Sequence, residues 1–473
     1  MFFPIFIIEE MIFMGKMQEK AGDKKIWRVG TLTYTMGGLV ALFCWLLWGD
    51  FAWAMKDRAI GPAATLLIRT FDVNDFLFSL IIISFPSFTN IFLMPIISYI
   101  SDRHRGRWGR RIPFLFFTTP FIVVGACGLG FSPMLGKLLF NLTGEAIKLN
   151  TACLICFGVF WALLDFGTTL SSALSGALVN DVVPKEMLGR FYGLFRAISL
   201  LAGMLFNFYL LKLVEAHYFY IFIGVGLFYG IGLYSLCWKV REGEYPPVDT
   251  PPVKKIGDIY KPFLTYFRQC FSMPYYRWVI TAMVLSGMAA SPYNMYAILY
   301  AKSPVINMDM ALYGKVLTIC YGISFCLSFF LGTLADRFHP LRMSIAALLT
   351  YLATMIAGWF WVKDEFSFEV IMYLHTVLSG CYFTLSASLG QRLFPHLLFA
   401  QFNSAYSMIH AITTVLVSML FGWLLLKLNS DYRYCFLFGT VMTGLGIACL
   451  VKIYFDFLKL GGDKAYQAPD PGE

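Results

Sequence analysis

Apolar runs broken by short polar punctuation repeat along the whole chain. Crossing a bilayer needs roughly 20 apolar residues in a helix. On that measure the pattern predicts spans at 36–68, 76–100, 113–132, 151–179, 188–211, 218–238, 278–301, 311–334, 343–362, 369–391, 403–426 and 434–455. The first is drawn long, Met36–Ile68, because ending it at Met55 would leave AIGPAATLLI as an apolar loop. The punctuation is as informative as the runs. Ser101–Pro113, SDRHRGRWGRRIP, packs five arginines and one aspartate between two long apolar stretches. Each Arg forced to a helix centre costs about 2.5–3.5 kcal/mol, so this stretch must lie outside the hydrocarbon. Short basic loops stay on the cytoplasmic side. Most Lys and Arg outside the spans share a side with this loop and both termini. The expectation is a multi-pass protein of the cell (inner or plasma) membrane, with both termini cytoplasmic.

Composition agrees with that picture and removes competing ones. The 473 residues are 58% hydrophobic and only 14% charged, with a mean hydropathy of +0.67, whereas soluble domains are about a quarter charged. The formal charge of +9 sits largely in loops. Positive-inside topology therefore explains it better than nucleic acid, and no nucleic-acid partner is expected. Eleven cysteines scattered through apolar runs read as small buried hydrophobes. Cys153-Leu-Ile-Cys156 has redox spacing, but its place in an apolar span argues against that chemistry. The sequence holds no phosphate-binding glycine loop, no metal-ligand cluster and no nucleophile elbow. A primary pump, a hydrolase and a bound cofactor are all without support, and the chain is not expected to be an enzyme.

Asp-Arg-x-Arg-x-Arg-Trp-Gly-Arg-Arg-x-Pro at Asp102–Pro113 resembles the loop between helices 2 and 3 of the major facilitator superfamily. More narrowly, its Trp-Gly-Arg-Arg form is similar to that of the glycoside–pentoside–hexuronide:cation symporters and their sucrose-transporter-like relatives. Gly332-Thr-Leu-Ala-Asp336-Arg337, with Arg342 beyond, resembles the superfamily's general version, 234 residues after Asp102 and so about half the chain later. The resemblance covers roughly residues 30–460. It implies an all-α membrane protein of twelve transmembrane helices in two pseudo-symmetric six-helix bundles.

On that plan residues 1–35 form a cytoplasmic segment, 36–238 the first bundle, 239–277 a cytoplasmic linker, 278–455 the second bundle and 456–473 a tail. Residues 1–14, MFFPIFIIEEMIFM, lack a basic leader and carry Glu9 and Glu10 mid-run. They read as an interfacial stretch, or as a start assigned upstream of Met14 or Met17, rather than a secretory signal. The linker opens REGEYPPVDTPPVKK, with an amphipathic piece around Ile259–Phe271. Asn141-Leu-Thr143 is a glycosylation sequon in a predicted outer loop.

Charges that survive inside the spans are where solute chemistry belongs. At 100° per residue, Asp50, Ala54, Asp57 and Gly61 share one stripe, flanked by Trp53 and Arg58, with Lys56 pointing off it. In the fourth span Trp161, Asp165, Thr168, Thr169 and Ser172 form a polar flank, with Asp165 near mid-membrane. Arg196 lies at similar depth in the fifth span, where acid and base can hold each other ionised or act as a purely structural pair. The resemblance implies that a helix-4 acid and a helix-5 arginine serve sugar binding, and Gly-Asp-Phe around Asp50 looks like the family's helix-1 acid motif. The second half has no acid deep in its spans; Asp309, Asp364, Glu365, Glu369 and Asp431 fall near ends. Its candidates are neutral or aromatic: Tyr293, Asn294 and Tyr296, then His375 and Tyr382, then Asn403, Tyr406 and His410. Donors, acceptors and ring faces of this kind suit a polyhydroxylated ligand. In the superfamily the two basic loops form charge-relay latches, which implies gating roles for Asp102, Arg103, Arg110, Arg111, Asp336 and Arg337. The expected activity is secondary active transport of a sugar or glycoside by a monomer rocking about a central site. H⁺ is the expected coupling ion, with Na⁺ as the alternative. Transport of a carboxylate, a drug or another small solute, and solute sensing without transport, are the competing readings.

Overall fold

The computed structural model describes residues 26–184, 187–245, 270–395 and 399–469. Within its helices the side chains of Asp102, Arg103 and Asp336 lie outside the description. So do residues 1–14 and all but the last two of Ile259–Phe271.

A short hairpin opens the described chain, β1 (Trp27–Val29) antiparallel to β2 (Leu32–Tyr34), with Gly30 taking the left-handed turn position at φ 57°. Helix α1 (Met36–Arg69) follows, N-capped by Thr35, and runs the full length that its apolar pattern predicts. Helix α2 is built from Asp75–Phe78, a π-helical turn Ser79–Ser84 and Phe85–Arg103. Helices α3 (Ile112–Leu142) and α4 (Leu149–Val182) pack closely. A Cβ on Gly125 would meet the Leu164 Cα at 2.7 Å, and one on Gly136 the Cys153 Cα at 2.5 Å. Lipid gives no hydrophobic drive to helix association, so close backbone approach at small residues has to supply the attraction.

Four boundaries differ from the sequence expectation. Helix α3 does not stop at 132 but continues through Pro133. The ring removes the N–H that would bond the Leu129 carbonyl, and the Ser132 hydroxyl donates to that oxygen at 2.7 Å instead. Asn141 therefore lies in the last helical turn, and the sequon is not a loop. Helix α5 (Leu188–Leu205) passes through a π turn, Phe206–Leu210, and a tight turn, Leu211–Leu213, straight into α6 (Val214–Lys239), with a kink at His217. Helix α7 is broken into α7a (Pro274–Gly287) and α7b (Ser291–Ala301). Pro292, at the start of α7b, cannot donate back across the break. Finally, α10 (Glu365–Ser386) begins earlier than predicted because Asp364 and Ser367 form a capping box. A separate short helix, Leu389–Leu393, follows it.

The remaining helices are α8 (Met310–Phe338), α9 (Pro340–Trp361), α11 (Phe399–Lys427) and α12 (Tyr434–Lys459). Ten continuous helical stretches among the described residues are long and apolar enough to cross a membrane. One of these, Leu194–Lys239, is 46 residues long. It is α5 running into α6 and covers two of the expected spans, 188–211 and 218–238. The broken α7 is not among the ten, so the twelve expected spans are accounted for.

Two compact units emerge, one of residues 1–72 and 92–249, the other of 73–91 and 250–473. The first has a core in which Trp27 of the hairpin packs with Leu39, Phe43, Leu174, Phe191 and Val240. In the second, the start of α2 packs on α11, where a Cβ on Gly422 would meet Ser79 Oγ at 2.2 Å and the Asp75 carbonyl at 2.9 Å. Asp75 is almost fully buried there, and its carboxylate accepts from the Ser430 hydroxyl and, at 3.2 Å, from Tyr432.

Candidate functional site

The first unit carries its charges on α1 and α4. Asp50 is 7% exposed, and its Oδ2 is buried with no hydrogen-bond partner among the described residues. It opens on a cavity of about 190 Å³ inside this unit, lined also by Trp53, Ser172, Ser175, Phe191 and Phe195. Its neighbour on α1, Lys56, is still more buried, at 2%. The Lys56 ammonium lies 4.0 Å from the Trp53 ring centroid and 3.5 Å from Thr168 Oγ1 on the polar flank of α4. Asp57 and Asp165 are the two acids whose charges act on it. Asp165 is 6% exposed, Trp161 one turn away stacks on Phe157 at 6.0 Å, Asp57 is exposed and Arg58 half-buried.

The structure therefore brings together Trp53, Lys56, Asp165 and Thr168 across α1 and α4, while Asp50 and Trp53 share the cavity. It does not pair Asp165 with Arg196, which is exposed on α5; no ion pair joins the two among the described residues. Lys56, read from periodicity as pointing off the stripe, is the buried cation of the group.

In the second unit three sequence candidates converge. The His375 Nε2 lies 2.9 Å from Asn294 Oδ1, and its Nδ1 lies 2.9 Å from the Tyr351 hydroxyl. A carbonyl oxygen only accepts, so Nε2–H donates to Asn294 and Nδ1 accepts from Tyr351. The Tyr293 ring sits 4.0 Å from the imidazole, and its hydroxyl is buried with no partner among the described residues. Asn294 itself is exposed. With its carbonyl engaged by His375, the amide N–H₂ is what it offers to a ligand. Tyr296 donates to the Asp75 carbonyl at 3.2 Å, and Tyr382 to Ser286 Oγ at 2.6 Å. Tyr406 and His410 lie 5.9 Å apart by ring centroids. Asn403 is exposed on α11.

The arginine-rich loop is held by acids that the sequence did not nominate. Arg110 donates to both oxygens of Asp181, at the end of α4, and Arg111 donates to Asp181 from Nε at 3.3 Å and to Ser101 from Nη1. Glu242, just past α6, accepts the backbone N–H groups of Arg110, Arg111 and Ile112 at 3.0, 2.8 and 2.7 Å. A carboxylate on the first N–H groups of α3 satisfies orphan donors and complements the helix dipole. Tyr245 donates to Glu242 at 3.0 Å while its ring lies 4.2 Å from the Arg110 guanidinium; burial beside Glu242 pushes the Tyr245 phenol well above its ordinary pKa. The hairpin joins this assembly through the Glu244 N–H, which donates to Thr31 at 2.8 Å. At the corresponding end of the second unit Arg342 pairs with Asp463 at 2.9 Å and Tyr454 at 3.0 Å. Arg337 is exposed.

Among the described residues no cluster of His, Cys, Asp and Glu could hold a metal ion. The eleven cysteines are free thiols. A family model described as Major Facilitator Superfamily matches residues 49–413. Among solved structures, the chain is similar to a bacterial homologue of the human lysosomal transporter Spinster. That match has 13% identity and a TM-score of 0.63, over 91% of this chain and 98% of that one. The nucleoside transporter NupG matches at 11% identity and a TM-score of 0.63, over 87% and 100%. A POT family transporter in complex with 5-aminolevulinic acid matches at 14% identity and a TM-score of 0.63, over 90% and 96%.

Proposed function

From the premise that the chain belongs to the major facilitator superfamily, and so is a multi-pass membrane transporter of a small solute rather than an enzyme, we propose that it carries a sugar or glycoside by proton-coupled symport. On this reading two six-helix bundles, 36–238 and 278–455, alternate access to a central site, and both termini are cytoplasmic. The observation that carries the proposal is Asp50: a buried carboxyl with one oxygen unpartnered, opening on a largely apolar cavity to which Ser172 and Ser175 add hydroxyls. A carboxyl that opens on a cavity can exchange a proton with the water admitted to it, which is what proton coupling requires. Asp165 and Trp161 supply the acceptor and ring face that a hydroxylated solute requires. Asn294, its carbonyl tied to His375, supplies donors from the second unit. Arg110 and Arg111, with Asp181 and Glu242, serve as the latch at the basic end; Asp102, Arg103, Asp336 and Arg337 are assigned to it by motif.

A second reading keeps the fold and changes the solute. Lys56 is a deeply buried cation with only a hydroxyl within hydrogen-bond reach among the contacts described, and an anionic solute would complement it. Purified protein screened by thermal shift against sugars and organic acids separates the two readings. Uptake into proteoliposomes under an imposed pH gradient then tests coupling. Stabilisation by carboxylates alone, or uptake indifferent to the gradient, would remove the sugar–proton proposal.

A further inference from the structure

We propose that the groove between the basic ends of α3 and α6 is a binding site for one anionic phospholipid. The groove encloses about 860 Å³, within the roughly 300–1,000 Å³ of small-molecule sites. Arg107, Trp108, Phe116, Tyr234, Trp238 and Arg241 form most of its wall. Its floor is a run of rings: Trp108 meets Phe116 edge-on at 5.6 Å, and Phe116 meets Tyr234 at 4.8 Å. Trp108 and Trp238 flank it at 56% and 88% exposure, the amphipathic rings that settle at headgroup level.

The charge in the groove is positive and available. Arg107 and Arg241 are exposed and have no ion pair among the described residues. The one acid in the lining, Glu242, has its oxygens taken up by three backbone N–H groups and the Tyr245 hydroxyl, and the two arginines outnumber it, so the lining keeps a net positive charge. From the groove an apolar track leads toward the membrane centre. On α6, Leu227, Ile231 and Trp238 share a stripe at helical spacing, and on α3 Phe117, Phe121 and Val124 do the same, all exposed. A phosphate between two guanidinium groups, with acyl chains lying along exposed rings and aliphatic side chains, satisfies both halves of the site. Basic pockets between helices on the cytoplasmic side favour anionic headgroups in this way. A soluble phosphate would leave the apolar track unused.

The test is tryptophan fluorescence of the full chain in phosphatidylcholine nanodiscs carrying a minor fraction of brominated lipid. Brominated phosphatidylglycerol should quench more than brominated phosphatidylcholine, and Trp238→Phe should remove part of that excess. Removing both guanidinium groups in Arg107→Gln/Arg241→Gln should erase an anionic preference of about thirtyfold, which at tenfold per 1.4 kcal/mol is about 1 kcal/mol for each arginine. The Arg107→Lys/Arg241→Lys protein should keep most of the preference, which guards against misfolding as the explanation. Equal quenching by the two lipids overturns the proposal, as does an excess that survives the glutamine pair. Displacement of the excess by inorganic phosphate also overturns it, since the groove would then be a soluble-phosphate site.

Discussion

Replacing Asp50 by Asn separates coupling from binding, and the structure sets the size of each effect. Asn keeps the shape of the side chain but cannot exchange a proton at physiological pH. Because Asp50 Oδ2 has no partner among the described residues, the substitution strands no donor there. The new amide N–H₂ faces a cavity lined by the hydroxyl-bearing Ser172 and Ser175. The folding cost should therefore stay below the roughly 1–3 kcal/mol of an unsatisfied buried group. The effect on coupling is much larger. One proton carried per solute makes each pH unit worth about 1.36 kcal/mol, or about tenfold accumulation. Proteoliposomes with an imposed gradient should concentrate sugar by up to that factor with the parent protein. With Asp50→Asn they should only equilibrate it, while counterflow exchange and solute-induced thermal stabilisation stay close to the parent's. If Asp50→Asn protein accumulates sugar as well as the parent does, Asp50 is structural and the proton travels elsewhere.

Four further outcomes follow from the same geometry. Asp165→Asn should weaken solute binding by about 1.5–3 kcal/mol, the range for hydrogen bonds to a charged group, and so raise the dissociation constant roughly tenfold or more; unchanged calorimetric affinity would take Asp165 out of the site. Glu242→Ala strands the N–H groups of Arg110, Arg111 and Ile112 and should speed their amide exchange by roughly 5–30-fold, given about 1–2 kcal/mol for a helix cap; unaltered protection would mean another group caps α3. His375→Phe and Asn294→Ala should be non-additive in thermal stability by about 0.5–3 kcal/mol, because each deletes the same bond, and strict additivity would dismiss the His375–Asn294 pair. A cysteine introduced near Arg105 should react with impermeant reagents only from inside and one near Gly144 only from outside, and the reverse pattern would invert the topology.

The parts of this molecule legible in its sequence are those that hydrocarbon dictates. Apolar runs had to be helices, and five clustered arginines had to leave the bilayer. The full length of α1 followed because the alternative was an apolar loop. Less legible were the places where one helix ends and the next begins, since Pro133 is absorbed by a Ser132 hydroxyl and the chain stays helical from α5 into α6 through Lys212, Glu215 and His217. The break in α7 falls on Met288, Ala289 and Ala290, which are apolar themselves, and only Gly287 and Pro292 beside them mark it. Long-range partners were hidden by separation. Asp181 lies 71 residues from Arg110, and Glu242 lies 130 residues from Ile112. Neither acid stands out locally, and only the packing of α3, α4 and α6 makes them ligands of the arginine loop. Lys56 marks a different limit. Helical periodicity places a Cα and Cβ, but a four-carbon stem carries the ammonium around the helix to whatever polar surface is nearest. Off the Asp50 stripe by angle, Lys56 still ends over Trp53 and against Thr168. For short side chains such as Asp50 and Asp165 the face of the helix fixes where the charge acts; for lysine and arginine inside a span it fixes only where the tether begins.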